Sequence, residues 1–351
     1  MDKCLDNPMG MDGLEFVEYT AEDSYSLERL FLQMGFSAVA RHRSKDVVVY
    51  RQGRINFILN HEPDCSAREF AWVHGPGVCA IGLRVQDSAS AMELALQHGA
   101  RIFDGRSGPM ELNIPAIYGV GNSLIYLIDR YGDRSIYDVD FVPVDDAATD
   151  WAPAGLQMVD HLTNNADDGC MDQWAGFYER IFNFREIRYF DIQGKRTGLR
   201  SRAMVSPCGK VRIPINEPTD RKSQIQEYLD LYHGEGVQHI ALTSDDIFFS
   251  VKALRANGIE FVRVPDTYYD SVIERLPWQQ EDPERMYGNQ ILIDGGKRKE
   301  GGLLLQTFTL TVIGPIFFEI IQRKGHEGFG EGNFQALFEA IERDQAWLGV
   351  L

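Results

Sequence analysis

The stretch that decides the fold occurs twice, as HGPGVCAIGLRVQD at residues 74–87 and as HGEGVQHIALTSDD at residues 233–246. An amphipathic stretch ending in glycine follows each copy: SASAMELALQHG in the first half and IFFSVKALRANG in the second. A second matching pair comes earlier in each half, GLEFVEY at residues 13–19 and GLQMVDH at residues 155–161. The same order in both halves indicates an internal duplication.

Each copy alternates β-rich runs, such as VVVYRQG and INFIL, with amphipathic stretches such as SLERLFLQMG. This alternation predicts an α+β fold of two tandem domains built from repeated βαβββ units. The segment PVDDAATDWAPAG at residues 143–155 lacks periodicity and is rich in Pro, Asp, Ala and Gly, as linkers are. We therefore predict an N-terminal domain at residues 1–150 and a C-terminal domain at residues 151–351, a division that suits the chain length.

The charge balance argues against a polyanionic partner. Asp and Glu number 52 against 35 Lys and Arg, and the net charge of -17 would repel phosphate backbones and anionic lipid headgroups. The apolar and charged fractions of 44% and 25% are typical of soluble globular proteins. No stretch is apolar over the roughly 18 residues that a membrane helix needs. We expect neither nucleic acid nor a membrane as partner.

The cysteines indicate a reducing compartment. None of the five stands in a C-x-x-C pair, so the sequence suggests neither a disulfide framework nor a thiolate zinc site. The N-terminal stretch MDKCLDNPMG has no basic region followed by an apolar run, as a signal peptide would have. A cytoplasmic location is expected.

The two copies differ in residues that can bind metal. The sequence comparison sets His161 against Tyr19 and His239 against Ala80. It also matches FFEIIQRKG at residues 317–325 to LIYLIDRYG at residues 124–132, which sets a glutamate, Glu319, against a tyrosine. The second copy alone therefore carries two histidines and a glutamate, each in a predicted strand among apolar neighbours. A carboxylate buried there would be costly without a partner or a metal.

Two imidazoles and one carboxylate form the facial triad suited to iron(II) in oxygenases. Such a triad leaves three adjacent positions of an octahedron open, enough for a bidentate 2-oxo acid and dioxygen. With a single carboxylate the iron site would have a net charge of +1, which a substrate carboxylate would neutralise. Taken one at a time, each histidine could be an ordinary hydrogen-bonded residue and Glu319 a buried salt-bridge partner.

Further motifs run along the whole chain. They are NPMG (7–10), VDHLT (159–163), RYFDI (188–192), RIPINEP (212–218), GVQHIAL (236–242), DTYY (266–269), LLLQTFT (303–309), FFEIIQRKG (317–325) and GFGEGNFQALFEAIERDQ (328–345). Together they resemble the 4-hydroxyphenylpyruvate dioxygenases of the vicinal-oxygen-chelate superfamily over nearly the whole chain. The resemblance implies an open β-barrel in the C-terminal domain that encloses the metal.

The resemblance also implies roles for individual residues. It makes His161, His239 and Glu319 the iron(II) ligands. Polar groups near the substrate would be Ser201, Asn216, Gln224, Gln238 and Gln306, and the substrate-binding residues would be Phe308, Phe317, Phe334, Leu337, Asn333 and Pro214. Other interpretations stay open: the aromatic residues suit a plain core, Pro214 a backbone turn and Asn333 a helix cap.

The C-terminus differs from both copies. The glycine-rich stretch GHEGFGEG at residues 325–332 precedes an apolar stripe formed by Phe334, Leu337, Phe338 and Ile341 at helical spacing. This pattern predicts a C-terminal helix on a hinge-like loop, which we interpret as a lid over the iron site; a static core helix would give the same pattern.

As the resemblance implies, the enzyme would convert 4-hydroxyphenylpyruvate and dioxygen into homogentisate and carbon dioxide, in tyrosine and phenylalanine catabolism. It would act as a homodimer or homotetramer. The alternatives are a 4-hydroxymandelate synthase, which oxidises the benzylic carbon of the same substrate, and more remotely an extradiol catechol dioxygenase. A metal-free binding protein of the same fold is a further alternative.

Overall fold

The computed structural model describes residues 6–105, 108, 110–144, 151–193, 198–296 and 301–333. The first half contains strands β1 (Gly13–Thr20), β2 (Ser37–His42), β3 (Val47–Gln52), β4 (Ile55–Asn60), β5 (Gly77–Arg84), β6 (Ala116–Tyr118), β7 (Leu124–Ile128) and β8 (Phe141–Pro143), with helices α1 (Ser24–Gln33), α2 (Ser66–His74), α3 (Ser88–Gln97) and α4 (Tyr137–Asp140). A 3₁₀ turn lies at Val120–Asn122.

The second half repeats this order. Its strands are β9 (Leu156–Asn165), β10 (Arg185–Gln193), β11 (Gly198–Val205), β12 (Arg212–Pro218), β13 (Gly236–Ser244), β14 (Leu292–Gly295), β15 (Leu303–Phe308) and β16 (Phe317–Lys324). Its helices are α5 (Met171–Phe182), α6 (Gln224–Tyr232), α7 (Ile247–Ala256), α8 (Asp266–Asp270), α9 (Val272–Arg275) and α10 (Pro283–Asn289).

Each half forms one sheet of eight strands within the described residues. The second sheet has the order β10-β11-β12-β9-β13-β16-β15-β14, which is two βαβββ units joined where β9 and β13 pair antiparallel. The first sheet has the order β6-β7-β5-β1-β4-β3-β2-β8, and its second unit is shorter, with an isolated bridge between Ile102 and Ile117 beside β6. The predicted tandem α+β fold is confirmed, and the second sheet curls into an open half-barrel.

Aspartates start the helix that follows each copy of the duplicated motif. Asp87 accepts a hydrogen bond from the backbone N–H of Ser90 at the start of α3. Asp246 accepts from the N–H groups of Phe248 and Phe249 at the start of α7. Because a helix leaves its first N–H groups without backbone partners, an aspartate at this position fixes where the helix begins.

The strand register corrects one predicted pairing between the halves. His161 lies opposite Ala241, and Phe16 lies opposite Gly82, the residue that corresponds to Ala241 in the duplicated motif. Phe16 is therefore the counterpart of His161, and the predicted pairing of His161 with Tyr19 is wrong by three residues. The comparison had matched the glycine at the start of β1 to Gly155.

The true counterpart of Gly155 is Gly10. Both glycines end a Pro-x-Gly sequence, at residues 8–10 and 153–155, and both have a left-handed backbone, with φ of 60° and 73°. A left-handed turn is the feature that requires glycine there. The turn before the strand, and not the start of the strand itself, is what the two halves share.

The other two predicted pairings agree with the ladders. Ala80 pairs with Leu124 across β5 and β7, as His239 pairs with Phe317 across β13 and β16. By the same register Tyr126 in the first half is the counterpart of the glutamate of β16. The rings of Phe16 and Tyr126 contact each other, with centroids 5.9 Å apart. Two aromatic rings thus fill the place that a histidine and a glutamate occupy in the second half.

The two halves pack against each other through a continuous apolar core. Phe57 of β4 stacks on Phe318 of β16, with ring centroids 5.9 Å apart. Gln52 Oε1 accepts hydrogen bonds from the backbone N–H groups of Ala154 and Leu156, both at 3.1 Å, just before and at the start of β9. The first half therefore fixes where the first strand of the second sheet begins. No helix in the described ranges is long and apolar enough to cross a membrane.

Gly121 marks a close approach between the halves. It has φ of 61°, and a Cβ built on it would lie 2.0 Å from the carbonyl oxygen of Glu235. Gly132 has a similar φ of 73°, but a Cβ on it would meet nothing within 4 Å. Substitution by alanine would strain the backbone to a similar degree at both positions. The new methyl group would meet another atom only at Gly121.

We expect Gly121→Ala to lower the free energy of unfolding by about 1 to 3 kcal/mol more than Gly132→Ala does, since the added methyl group must push the halves apart. Both variants lose about 1 kcal/mol to the left-handed conformation, so their difference isolates the contact. Chemical denaturation of the three proteins measures this difference. Equal losses in the two variants would show that the halves are not in contact at Gly121.

Candidate metal centre and the cavity beside it

Three neighbouring strands carry the residues that the sequence predicted as metal ligands. His161 lies on β9, His239 on β13 and Glu319 on β16, and β13 pairs with both of the others. Ala241 of β13 lies opposite His161 on one side and opposite Glu319 on the other. The duplication thus brings together side chains that lie up to 158 positions apart, counting from 161 to 319.

The three side chains converge on one point. Glu319 Oε2 lies 3.1 Å from His161 Nε2 and 3.5 Å from His239 Nε2. The three ligand atoms all lie within 4.8 Å of one another, and the residues are 4%, 7% and 2% exposed. The other carboxylate oxygen, Glu319 Oε1, is buried and has no hydrogen-bond partner among the described residues. A divalent cation would satisfy this carboxylate, so the donor set fits a metal.

Both imidazoles are oriented by a hydrogen bond to the other ring nitrogen. His161 Nδ1 lies 2.8 Å from Asp160 Oδ1, and His239 Nδ1 lies 3.1 Å from Gln238 Oε1. An acceptor at Nδ1 places the ring proton there and leaves the Nε2 lone pair free. Both Nε2 atoms face the point of convergence, where each imidazole in its neutral form presents a lone pair to a metal.

Asp160 holds its position through arginines. Arg323 donates to both of its carboxylate oxygens, at 2.7 and 2.8 Å, and Arg212 donates to one at 3.2 Å. The ladder passes from Val159 to His161 while β13 advances by one residue, so Asp160 is the extra residue of a β-bulge. The bulge places adjacent side chains on the same side, because it interrupts the alternation of the strand.

Arg323 ties this network to the glycine-rich segment. Its Nη1 also donates to the backbone carbonyls of His326, at 2.8 Å, and Gly328, at 2.7 Å. One guanidinium thus holds both the residue that orients His161 and the backbone that follows β16. Planar guanidinium groups suit this role because they present several donors in fixed directions.

The electrostatics of the site depend on these bonds. Burial alone would raise the pKa of Asp160, but hydrogen bonds from Arg323 and His161 outweigh it and hold the pKa well below its usual range. Burial would lower the pKa of His161, but its hydrogen bonds to Asp160 and Glu319 raise the pKa to about 9. Burial and the neighbouring His161 lower the pKa of His239. Without metal, the site therefore favours a proton on His161.

A cavity of about 140 Å³ opens beside the triad. Besides the three candidate ligands it is lined by Thr163, Phe190, Leu199, Ser201, Pro214, Asn216, Gln224, Ile225, Gln238, Phe308, Phe317, Phe329 and Glu331. Seven of these thirteen residues are apolar or aromatic, five carry an amide or a hydroxyl, and Glu331 adds a carboxylate. Such a mixture of apolar walls and a few polar groups is typical of pockets that bind small organic molecules.

The structure places most of the predicted substrate residues on this cavity. Four of the five predicted polar residues line it: Ser201, Asn216, Gln224 and Gln238. So do the predicted contacts Pro214, Phe308 and Phe317. Their roles toward a substrate remain predictions.

Gln306 and Asn333 lie apart from the lining. Asn333 Nδ2 donates to Gln306 Oε1 at 3.1 Å, and Asn333 Oδ1 accepts from the Tyr268 hydroxyl at 2.6 Å. Both residues are almost fully buried. With Tyr268 they form a buried polar network outside the cavity lining. Phe334, Leu337 and the predicted lid helix lie outside the described residues.

Aromatic rings enclose the two imidazoles. Phe317 stacks on His239 with centroids 4.8 Å apart, and Phe329 contacts His161 edge-on at 5.3 Å. Phe308 packs edge-on against Phe317 at 6.0 Å. These rings form an aromatic wall beside the triad.

Sequence reasoning missed several residues of the site. Asp160 and Arg323 lie inside the quoted motifs VDHLT and FFEIIQRKG, and Phe190 lies inside RYFDI. The two-residue alternation of β16 puts position 323 on the same face as position 319, a signal that was available. Phe329 is the apolar residue within the glycine-rich stretch, whose pattern predicts only a hinge.

Comparison with known proteins places the chain in a family. The model described as "Hydroxyphenylpyruvate dioxygenase, HPPD, N-terminal" matches residues 5–142, and that of the Glyoxalase/Bleomycin resistance protein/Dioxygenase superfamily matches residues 159–286. A 4-hydroxyphenylpyruvate dioxygenase of Pseudomonas aeruginosa is 55% identical over 348 residues, covering 98% of this chain and 97% of the relative. The chain belongs to the 4-hydroxyphenylpyruvate dioxygenase family.

Other relatives share this family's sequence or fold. A protein named Hemolysin VllY, of Vibrio vulnificus, is 60% identical over 350 residues, 98% of each chain. A solved mutant of 4-hydroxymandelate synthase from Streptomyces coelicolor has a TM-score of 0.81 at 25% identity, covering 96% of this chain and 100% of that one. A solved fusion of a xylose isomerase-like TIM barrel with a 4-hydroxyphenylpyruvate dioxygenase has a TM-score of 0.79 at 33% identity, covering 96% of this chain and 54% of the fusion.

Asp160→Asn should weaken metal binding by about 10- to 100-fold, the usual effect of losing the residue that orients a histidine ligand. The matched control is Glu15→Gln. Glu15 is the bulge residue of β1 in the first half, where it pairs with Arg84 at 2.6 Å and faces no metal ligand. Metal titration of both variants tests this. Equal affinities in Asp160→Asn and the parent would remove the proposed role of Asp160.

Metal binding should release a proton from His161. Because the pKa of this imidazole is raised from 6.5 to about 9, the protonated form is favoured in the metal-free protein below about pH 9. The apparent affinity should therefore rise by up to about tenfold per pH unit as the pH increases toward about 9, and level off above. A cobalt(II) titration followed by absorbance measures it. A constant affinity over this range would contradict a protonated His161.

Proposed function

We propose that the protein is an iron(II)-dependent dioxygenase that converts 4-hydroxyphenylpyruvate and dioxygen into homogentisate and carbon dioxide. Both atoms of dioxygen end in homogentisate. One observation carries the proposal: a buried triad of two histidines and a carboxylate, with an oxygen that lacks a donor, opens into an aromatic cavity. Membership of the family supplies the substrate and the reaction.

The triad suits iron(II) by its donors. His161 and His239 offer imidazole nitrogens, and Glu319 offers a carboxylate oxygen, the facial set of oxygenases that act through non-haem iron. A bound iron(II) ion would supply the oxidation chemistry, since it can bind a 2-oxo acid together with dioxygen. The surrounding hydrogen bonds fix both imidazoles before any cation arrives, which reduces the cost of ordering them.

The charge of the triad matches a 2-oxo acid. Two neutral imidazoles and one carboxylate leave a net charge of +1 once a divalent cation is held, and a substrate carboxylate neutralises it. The cavity opens directly from the triad, so the 2-oxo acid end of the substrate lies at His161, His239 and Glu319 and its ring points away from them. A dry aromatic wall strengthens this attraction because it excludes water.

The cavity wall positions the ring. Phe308 and Phe317 present aromatic surface against which a phenol ring can pack. Ser201, Asn216 and Gln224 supply the hydroxyl and amide groups that can hydrogen-bond the phenol. Phe334 and Leu337 belong to the same proposal through the family resemblance. A ring held at both its faces and its hydroxyl keeps one carbon near the site of oxidation.

The remaining predictions are carried forward as proposals. We place the domain boundary near residue 150, between the last strand of the first sheet and the first strand of the second. The free thiols of Cys65, Cys79, Cys170 and Cys208 support a cytoplasmic location. Exposed apolar side chains on the helices, Trp72 among them at 66%, support a homodimer or homotetramer.

Product analysis separates the proposed reaction from that of a 4-hydroxymandelate synthase, which uses the same kind of site. Iron-loaded protein should consume dioxygen with 4-hydroxyphenylpyruvate and form homogentisate, identified by mass spectrometry. Mainly 4-hydroxymandelate would overturn the proposed reaction while leaving the metal site intact. Consumption of a catechol, with no carbon dioxide from the 2-oxo acid, would instead support an extradiol enzyme.

His161→Ala should lose most of its iron and its dioxygen consumption, because two donors alone hold the cation poorly. Phe16→Leu changes the corresponding position of the first half, where no ligand is proposed, and should keep iron binding and turnover close to those of the parent. Iron content and oxygen uptake of both purified variants test this. Normal iron in His161→Ala, or loss of iron in Phe16→Leu, would overturn the assignment of the site to the second half.

A further inference from the structure

The first half contains a cavity that the proposed reaction does not use. It measures about 180 Å³, against about 140 Å³ for the cavity beside the triad. Its lining is formed by Glu18, Ser66, Ala67, Glu69, Phe70, Val73, His74, Cys79, Ala80, Tyr118, Asn122 and Leu124. The two cavities are thus of similar size, and each belongs to one copy of the duplicated unit.

The strand ladders show that the two cavities correspond. Ala80 and Leu124 pair across β5 and β7 as His239 and Phe317 pair across β13 and β16. Ala80 and Leu124 line the first cavity, and His239 and Phe317 line the second. The shared register places both cavities against the same strands of their sheets.

Glu18 shows that the correspondence also holds on strand β1. It lies opposite Ala80 in β1, just as Thr163 lies opposite His239 in β9. Both Glu18 and Thr163 line their cavities. A carboxylate therefore stands in the first cavity where the second has a hydroxyl.

The first cavity cannot hold a metal in the manner of the second. Phe16 and Tyr126 fill the places of the first histidine and the glutamate, and Ala80 has only a methyl group where His239 has an imidazole. Among the described residues, the triad of the second half is the group of side chains placed to hold a metal. Because alanine replaces the imidazole, the cavity has open space beside Glu18. Neither an imidazole from this position nor a metal bound to it lies next to the carboxylate.

Glu18 is a buried carboxylate with no ion pair within 4 Å among the described residues; the Cys79 thiol donates to it, and Lys45 acts on it only from a longer distance. It is 7% exposed, and its Oε1 accepts a hydrogen bond from the neutral amide of Asn60 at 2.7 Å. Glu15, three residues earlier, is paired with the guanidinium of Arg84 at 2.6 Å. Burial raises the pKa of Glu18. A carboxylate in this position gains free energy from any cation that reaches it.

The other polar groups of the cavity also favour a cation. Glu69 lies exposed on α2 at the edge of the cavity and adds a second carboxylate. Both ring nitrogens of His74 are held by backbone carbonyls, those of Tyr232 at 3.0 Å and Gly121 at 3.1 Å. His74 therefore has no free ring nitrogen with which to bind an anion. The two carboxylates of the lining disfavour anionic ligands such as the substrate of the second cavity.

We propose that this cavity binds a small primary amine with an apolar body, with the ammonium group against Glu18. Phe70, Leu124 and the methyl group of Ala80 contact the apolar body. The site is separate from the metal centre and is formed by the copy of the duplicated cavity that has no metal ligands.

Isothermal titration calorimetry of the full-length, metal-loaded protein with 2-phenylethylammonium tests the proposal. The amine should bind at one site per chain. Phenylacetate, an anion of similar shape, should not bind there, and the neutral 2-phenylethanol should bind at least about tenfold more weakly than the amine, as the loss of a charge-assisted hydrogen bond predicts.

Two variants locate the site. Glu18→Gln removes the charge at nearly constant shape and should weaken amine binding by at least about tenfold. Ser66→Leu, at the partly exposed start of α2, should block the cavity and so abolish amine binding. This variant tests the location of the site if Glu18→Gln does not fold. Ser201→Leu, in the catalytic cavity, should leave amine binding unchanged. The proposal would be overturned, whatever the enzyme's activity, if the parent did not bind the amine. It would also be overturned if binding were unchanged in Glu18→Gln or Ser66→Leu, or if Ser201→Leu alone lost it.

Discussion

Burying a carboxylate beside two imidazoles is the constraint on which the catalytic half depends. Glu319 lies between apolar neighbours on an inner strand, where an uncompensated negative charge costs several kcal/mol. In the metal-free protein a protonated His161 compensates it, since its Nε2 lies 3.1 Å from Glu319 Oε2, and both imidazoles in turn need partners at their outer nitrogens. Asp160 supplies the partner of His161, and the guanidinium of Arg323 holds Asp160 in place. Each group in this network therefore has a partner that compensates its charge. The bulge itself also occurs in β1, at Glu15, where no metal ligand follows.

The fold was largely predictable because it is written twice. The repeated HGxGV motif correctly matched His239 with Ala80, the segments FFEIIQRKG and LIYLIDRYG correctly matched Glu319 with Tyr126, and comparison of the copies isolated the residues His161, His239 and Glu319. The comparison erred at Tyr19, since it matched a glycine that starts a strand to one that makes a turn. Two glycines that look alike in the sequence can have different backbone conformations, and only the φ angles distinguish them.

The parts of the site that escaped prediction depend on contacts distant in sequence. Asp160 and Arg323 are 163 residues apart, and the bulge that turns Asp160 toward His161 leaves no mark in the alternation of residues. Gln306 lies two residues before Phe308 on the same strand, so alternation predicts a cavity position for both. The backbone at Gly330 and the side chain of Asn333 cover Gln306 instead. What covers a strand cannot be read from the strand itself.

The shared core between the halves has a genetic consequence. Phe57 packs against Phe318, the residue next to Glu319, and Gln52 holds the backbone from which β9 starts. An inactivating missense allele can therefore fall in the half without candidate metal ligands and still act through the position of a ligand strand. Alleles of this kind would be scattered over both halves of the coding sequence, and their distance along the chain from the catalytic residues would be a poor guide to their severity.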